Sequence, residues 1–351
     1  MKGWTHGFRM LALGLGLALL ASCGGGGGGA TGDAAVEAVV SGASTTGDSS
    51  TGESTTTGNS QGSTGDGAPR HQLFVSDSGH GVVAMFDTLD PTAGSTVSTE
   101  NTLTVPGLVF DGPLAYDSGR DLLYTISNDR NVFVYANAGA MDAGAAPART
   151  IALPQPLFGR ALYLDKAHDV LYVGGEWGST GKVFVYANAS AASGAVAPTR
   201  SLDLPQGLGA MTIDVERSIM YTLNLSRGPH VFTGLAAASG AIVPSREVTL
   251  MGGTFRSIAI DAARDRLYVT DSAGVHIIGS ASTDAARLVG VVAIPGAYAV
   301  AVDAANDRLY VGSDEAAYIF NQASSLAGGT TAAGTAVAVP NGTFLRAFAF
   351  P

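Results

Sequence analysis

The side chains that most often carry out catalysis are few in this 351-residue chain and are scattered along it. The sequence contains none of the HExxH, GxSxG or phosphate-loop patterns that mark metalloproteases, serine hydrolases and nucleotide-binding enzymes. Its one cysteine, Cys23, excludes an intrachain disulfide, a cysteine-built zinc cluster and a CxxC redox pair. Of its six histidines, His80 and His230 are the candidate general bases, because we expect both at junctions between a loop and a strand.

Aspartates recur in pairs four residues apart, a spacing that lets two carboxylates share a calcium ion. The pairs are Asp117/Asp121, Asp165/Asp169, Asp261/Asp265 and Asp303/Asp307. A residue needed once in every structural unit is more typical of a turn than of a ligand site, because aspartate in a tight turn accepts backbone N–H hydrogen bonds. We therefore interpret the pairs as turn-forming residues and predict no metal site.

The aspartates belong to a longer repeat, in which an Asp is followed seven residues later by a Tyr. The five copies are Asp117/Tyr124, Asp165/Tyr172, Asp214/Tyr221, Asp261/Tyr268 and Asp303/Tyr310, at spacings of 48, 49, 47 and 42 residues. In each copy, a strand that alternates small and large residues precedes the Asp, and a second strand carries the Tyr. Two further strands complete the unit, such as VFVYANA at 183–189 and TRSLDLP at 199–205. Four short strands at this spacing predict one blade of a β-propeller.

The two ends of the repeated region supply complementary parts of one more blade. Residues 71–106 contain second, third and fourth strands, whereas 345–350 form a lone first strand. We therefore predict an all-β fold, a six-bladed propeller whose ring is closed by strand 345–350 joining the N-terminal blade. The blades span 71–106 with 345–350, 113–154, 160–205, 209–250, 256–295 and 299–340.

The repeat units, with DRLYV at 265–269 and again at 307–311, resemble the NHL and YVTN-like propeller superfamily across residues 70–351. That superfamily includes lactone hydrolases, ligand-binding modules and protein-interaction scaffolds, so the resemblance implies a fold rather than one activity. A metal-dependent lactonase of this kind would need Glu and Asn ligands at the channel, to which Glu176 and Asn224 could contribute.

One position of the repeat is not occupied by the same type of residue in every blade. It lies at the start of the innermost strand, five residues before the Asp position. The six blades read Arg346, Gly112, Arg160, Gly209, Arg256 and Tyr298 there, so arginine occupies alternate blades. Loops opening on the same face carry acids at Asp77, Asp129, Glu176, Asp271 and Asp314. The arrangement predicts either a structural network in which the acids neutralise the arginines, or a site for an anionic or small polar ligand at the channel mouth.

The N-terminal 22 residues have the order of an export signal: Lys2 and Arg9, an apolar run at 10–20, then Leu20-Ala21-Ser22-Cys23. The apolar run is too short for a spanning helix, which needs about 20 residues. The tetrapeptide resembles the lipobox of bacterial lipoproteins, which implies acylation of Cys23 and, because Gly24 follows, the outer membrane of a Gram-negative cell. The Gly/Ser/Thr-rich segment 23–69 cannot bury a core, and we expect it to be a disordered tether.

Composition narrows the partners further. A net charge of -10 disfavours a nucleic-acid binder, which needs clustered lysines and arginines. Our main hypothesis is a lipid-anchored, monomeric binding or scaffold module, without a cofactor, for an envelope protein, a glycan or a small anionic ligand. The alternative is a lactonase-like hydrolase that uses the same channel-mouth face.

Overall fold

The computed structural model describes residues 71–77, 79–87, 102–108, 112–127, 130–224, 227–251, 253–314, 316–327, 334–337 and 345–351, apart from the side chains at 159 and 160. The predicted signal, Cys23 and the predicted tether lie outside the described residues, as does Asp129. Within the described ranges, none of the helical turns has the length and hydrophobicity needed to cross a membrane.

The described strands form six sheets, five of four strands and one of five, which confirms the predicted six-bladed propeller. Two details differ from the predicted blade bounds: the first strand of blade 3 begins at Phe158, and residues 240–241 pair with blade 3 instead of blade 4. We number strands in chain order and describe each blade from the channel outward. Blade 1 contains β25 (Leu345–Ala349), β1 (Leu73–Asp77), β2 (Val82–Phe86) and β3 (Thr102–Thr104). Blade 2 contains β4 (Leu114–Asp117), β5 (Leu122–Ser127), β6 (Asn131–Ala136) and β7 (Arg149–Ala152).

Blade 3 contains β8 (Phe158–Asp165), β9 (Val170–Trp177), β10 (Thr180–Ala187) and β11 (Arg200–Leu204), and the short β15 (Gly240–Ala241) adds a parallel fifth strand at its outer edge. Blade 4 contains β12 (Ala210–Asp214), β13 (Ile219–Asn224), β14 (Arg227–Thr233) and β16 (Arg246–Glu247). Blade 5 contains β17 (Ile258–Asp261), β18 (Arg266–Asp271), β19 (Gly274–Gly279) and β20 (Arg287–Ala293). Blade 6 contains β21 (Ala299–Asp303), β22 (Arg308–Gly312), β23 (Ala317–Asn321) and β24 (Thr335–Val337). Single 3-10 turns cover Ala138–Ala140, Leu235–Ala237 and Ala323–Ser325.

The ring closes where β25 pairs with β1, with Phe348 opposite Val75. Each innermost strand contacts the innermost strands of the two neighbouring blades, in the order β25, β4, β8, β12, β17, β21 and back to β25. The innermost strand of blade 1 thus comes from the C-terminal end of the repeated region, and it covers the edge of β1 that would otherwise be unpaired.

The repeated aspartates are turn residues, as predicted. Asp261 Oδ1 accepts the backbone N–H of Arg264 at 3.1 Å, and Oδ2 accepts the Arg264 guanidinium at 2.9 Å. That guanidinium also donates to the carbonyl of Ala304 in the next blade, so the turn joins two blades. The second aspartate of each pair has positive φ, a conformation that Asp tolerates better than most residues, and caps the loop after the third strand. Asp265, for example, accepts both the N–H and the O–H of Ser282.

The repeated tyrosines pack between neighbouring blades, also as predicted. Each lies in a hydrophobic cluster that two blades share, and four of the five are fully buried: Tyr124, Tyr221, Tyr268 and Tyr310. Burial raises the pKa of Tyr124 and Tyr221 to about 12, because the phenolate would lose its hydration. The core is therefore six interblade layers around the axis rather than one central mass.

Candidate functional site

The innermost strands line the channel, and their period-2 alternation places one large side chain per blade at the same level. Three residues before each Asp position stand six apolar side chains, which we call the throat ring: Phe348, Leu114, Leu162, Met211, Ile258 and Val300. Each is 6–9% exposed, the residual exposure of a side chain that faces a narrow channel. The small residues between them, mostly alanines, let adjacent strands approach closely around the axis.

Two residues above the throat ring, the structure brings together three of the predicted mouth residues. Tyr298 of blade 6 stands between Arg256 of blade 5 and Arg346 of blade 1. The guanidinium carbons of Arg256 and Arg346 lie 4.3 Å and 3.0 Å from the centroid of the Tyr298 ring. Two cation–π contacts thus hold both guanidiniums at the mouth, and a guanidinium is a planar fork of N–H donors that suits a carboxylate or phosphate group.

The opposite side of the mouth is formed by blades 2, 3 and 4. Gly112 and Gly209 occupy the equivalent positions of blades 2 and 4, and neither contributes a side chain. The third predicted arginine, Arg160, belongs to β8 next to an irregularity in the pairing with β9. Its side chain lies outside the described residues, so its part in the mouth remains a prediction.

A cavity of about 240 Å³ lies at the mouth and is lined by Arg256, Ser272, Gly296, Ala297, Tyr298, Asp314 and Arg346. Asp314 is the predicted acid that shares this cavity with the arginines, and its side chain is exposed. Sequence reasoning missed Ser272 and Gly296, which sit in loops outside the repeated pattern. Below this cavity a second one, of about 110 Å³, connects Arg256, Tyr298 and Arg346 with the throat ring.

The other predicted acids of this face are engaged elsewhere. Asp77 is buried and its Oδ2 lies 2.8 Å from His80 Nδ1, while its Oδ1 accepts the backbone N–H of Gly79. Asp271 is buried as well, with Oδ2 3.0 Å from His276 Nε2. Glu176 is half-buried in β9, against Gly207.

Hydrogen bonds decide the ionisation of Asp271. Burial opposes its charged form, but hydrogen bonds from His276 and from the N–H groups of Ala273 and Gly253 outweigh burial and lower its pKa. Asp271 is therefore ionised at neutral pH, with its carboxylate held by these hydrogen bonds.

The structure places the two candidate bases differently. His80 lies in the turn between β1 and β2, beside Asp77. His230 is the fourth residue of β14 rather than a residue of a loop-to-strand junction, which corrects that expectation. It is buried, 3.6 Å from Glu247, and burial lowers its pKa more than Glu247 raises it. The strand begins earlier than the pattern indicates because Arg227 already pairs with Asn224.

A wider cavity of about 580 Å³ forms the lower part of the channel, beyond the throat ring. Its walls continue the apolar alternation one residue before each Asp position, with Leu164, Ile213, Ile260, Val302 and Phe350. Lys166 reaches across the lower end, where its ammonium donates to the carbonyl of Phe350 at 2.9 Å. Burial lowers the pKa of Lys166, and the nearby Asp117 and Asp303 oppose that effect.

The described residues contain no group of three His, Cys, Asp or Glu side chains close enough to hold one metal ion. What they do contain is a channel with a polarity gradient. Its upper mouth combines two guanidiniums with an aromatic ring, and its throat is ringed by six apolar side chains. Its lower cavity mixes apolar side chains with Lys166, Asp214 and Glu216.

No protein-family model matches this chain, and no curated protein matches it. Solved structures do match. One is a chain of the crystal structure of a nidogen/laminin complex, 15% identical with a TM-score of 0.55, and the match covers 79% of this chain and 97% of that one. Another is a functionally unknown protein from Desulfotomaculum acetoxidans, 13% identical with a TM-score of 0.50, with coverages of 77% and 78%. At such low identity the likeness shows the fold alone.

Proposed function

We propose that this chain is a binding module whose channel mouth binds a small anionic ligand, and that a lipid on Cys23 holds it in the cell envelope. One observation carries the ligand proposal: Arg256 is fixed at the mouth by Tyr298, and no carboxylate of the described residues lies within 4 Å of its guanidinium. A fixed cation on a cavity wall attracts an anion at short range, even though the net charge of the whole chain is -10.

The binding role is better supported than the lactonase-like alternative. Of the two candidate bases, His80 is not among the residues that line the channel cavities, and His230 is buried inside blade 4 beside Glu247. The matched structure from a nidogen/laminin complex supports the view that this architecture serves as a binding module, whereas which ligand or partner this chain takes is our proposal.

Calorimetric titration with acetate, citrate and inorganic phosphate tests the ligand proposal. We expect Arg256→Gln to weaken binding by about tenfold or more, because a hydrogen bond to a charged group contributes roughly 1.5–3 kcal/mol. The matched control is Arg287→Gln, which makes the same change at an exposed position of β20 and should leave binding unchanged. Equal affinities of the wild type and Arg256→Gln for every anion, or no binding by the wild type, would refute the proposal.

The anchor rests on the sequence from Lys2 to Cys23. Metabolic labelling with a fatty-acid probe in a bacterial host should mark the wild-type chain. Cys23→Ser should abolish the label, since the acylated sulfur is lost. Equal labelling of both chains would contradict acylation at this residue.

A further inference from the structure

The mouth suits a charged group, whereas the throat suits an apolar one, so a single ligand that fills both needs both kinds of group. The cavity of about 110 Å³ is lined by Arg256, Tyr298 and Arg346 at the top and by the throat ring below. An anion bound by the guanidiniums would therefore lie directly above six apolar side chains. The distance from the mouth level to the level of Phe350 and its counterparts is four residues along a strand, or about 13 Å.

Water in such a channel is easily displaced. At the throat ring the wall is hydrocarbon from every blade: Phe348, Leu114, Leu162, Met211, Ile258 and Val300. A water molecule is held firmly when it has two to four polar partners, and displacing a poorly held one with an apolar group increases affinity. A small anion without a hydrocarbon chain would leave the apolar surface of the throat ring hydrated, whereas an anion with such a chain would displace the water there.

The volumes of the cavity at the throat ring and of the lower cavity limit the size and shape of that hydrocarbon chain. The cavity that joins the mouth to the throat ring has a volume of only about 110 Å³, which limits the bulk of the group there and favours an unbranched chain. The lower cavity holds about 580 Å³, and its apolar side chains, including Ile213 and Val302, can contact the end of the chain, whereas Lys166, Asp214 and Glu216 make the rest of its wall polar.

We infer that the ligand class is a carboxylate carrying an unbranched hydrocarbon chain, with its head at Arg256 and Arg346 and its chain in the throat. This inference rests on the proposed function, and it adds the apolar half of the ligand. It predicts that affinity depends on chain length as well as on charge, up to about fourfold per fully buried methylene, the equivalent of ~0.8 kcal/mol.

Titration of the purified chain with sodium acetate, hexanoate and decanoate, below the concentrations at which they form micelles, measures that dependence. Hexan-1-ol serves as the uncharged probe. We expect affinity to rise from acetate to hexanoate to decanoate, and hexan-1-ol to bind more weakly than hexanoate. Arg256→Gln should lower the affinities for acetate and hexanoate by a similar factor, because both carboxylates bind at the same guanidinium.

Narrowing the throat separates the two halves of the site. Val300→Phe should abolish the gain in affinity from acetate to hexanoate. The matched control is Val243→Phe, at a position that is 78% exposed. If circular dichroism shows that Val300→Phe does not fold, Leu114→Phe narrows the same ring from blade 2.

The outcomes distinguish the two proposals. Equal affinity for acetate and hexanoate, both sensitive to Arg256→Gln, overturns the amphiphile and leaves the anion site in place. Equal binding of hexanoate and hexan-1-ol, insensitive to Arg256→Gln, overturns the anion site and the inference that rests on it. A chain-length gain that persists in both throat variants also overturns the inference, because the chain then lies elsewhere.

Discussion

Blade 4 lacks a capping motif that three other blades share, and restoring it should stabilise the propeller. In blades 3, 5 and 6 an aspartate with φ of 52–55° accepts both the N–H and the O–H of a serine that follows the third strand: Asp169 with Ser190, Asp265 with Ser282, and Asp307 with Ser324. Blade 4 has Ser218 at φ 57° and Ala236 in the serine's place, joined by one hydrogen bond of 2.7 Å. The double substitution Ser218→Asp with Ala236→Ser rebuilds the motif.

The magnitude follows from the bonds that are gained. The substitution turns a neutral N–H···O bond into a charge-assisted one and adds an O–H···O⁻ bond, and hydrogen bonds to charged groups contribute roughly 1.5–3 kcal/mol each. The equivalent carboxylate of Asp307 is 26% exposed, so part of this gain is lost to solvent screening. At Asp307 burial opposes ionisation, but the two Ser324 bonds together with the charges of Arg264 and Arg266 outweigh it and lower the pKa. We expect a net gain of about 1–2 kcal/mol in the free energy of unfolding.

Differential scanning calorimetry measures the result as a rise in Tm of about 2–8 °C, at roughly 2–4 °C per kcal/mol for a large single domain. Each single substitution should contribute less than half of the gain, because the O–H bond needs both new side chains. The reverse change in blade 5 serves as the control: Asp265→Ser with Ser282→Ala removes the motif there and should lower Tm by a similar amount. An unchanged Tm in both double variants would show that the motif is a consequence of the fold and contributes nothing to its stability.

Two further predictions concern β14 of blade 4. Because burial lowers the pKa of His230, the unfolded chain binds this proton more readily than the folded one. The free energy of unfolding should therefore fall as the pH drops below about 6.5, by at most ~1.4 kcal/mol per pH unit. His230→Gln should remove that part of the slope in urea titrations at pH 5 and 7, and an unchanged slope would assign it to other groups. Gly228→Ala should cost about 2–3 kcal/mol in a chemical denaturation series, since its Cβ would lie 2.0 Å from the carbonyl oxygen of Val248. The same change at Gly178, where nothing lies within 4 Å and φ is +63°, should cost only about 1 kcal/mol, so equal costs would contradict the steric argument.

Much of the fold follows from the sequence because its determinants are local. A strand of alternating small and large residues, an Asp that closes the next turn and a Tyr on the second strand all act within about ten residues, and each recurs in nearly every blade. The incomplete blade at 71–106 and the lone strand at 345–350 then require ring closure, which the pairing of β25 with β1 confirms.

The site was only partly predictable, for a physical reason. The sequence identifies Arg256, Tyr298 and Arg346 as the positions where the repeat is broken, because each is a departure from a local pattern. It does not state which side chains they meet. The stacking of both guanidiniums on Tyr298 depends on contacts among three blades, and those contacts exist only once the ring has closed.

The acids show the same division between local and tertiary determinants. Their positions on one face follow from strand order, but Asp77 and Asp271 could point either to the arginines or to their own hairpins. Each is held in its own hairpin by backbone N–H groups and a histidine. The sequence by itself thus determined the blades, their number and the mouth positions, since these arise from repeated short-range patterns. The tertiary structure decided which charges are neutralised and which face the channel, because side-chain partners are chosen by distances between blades.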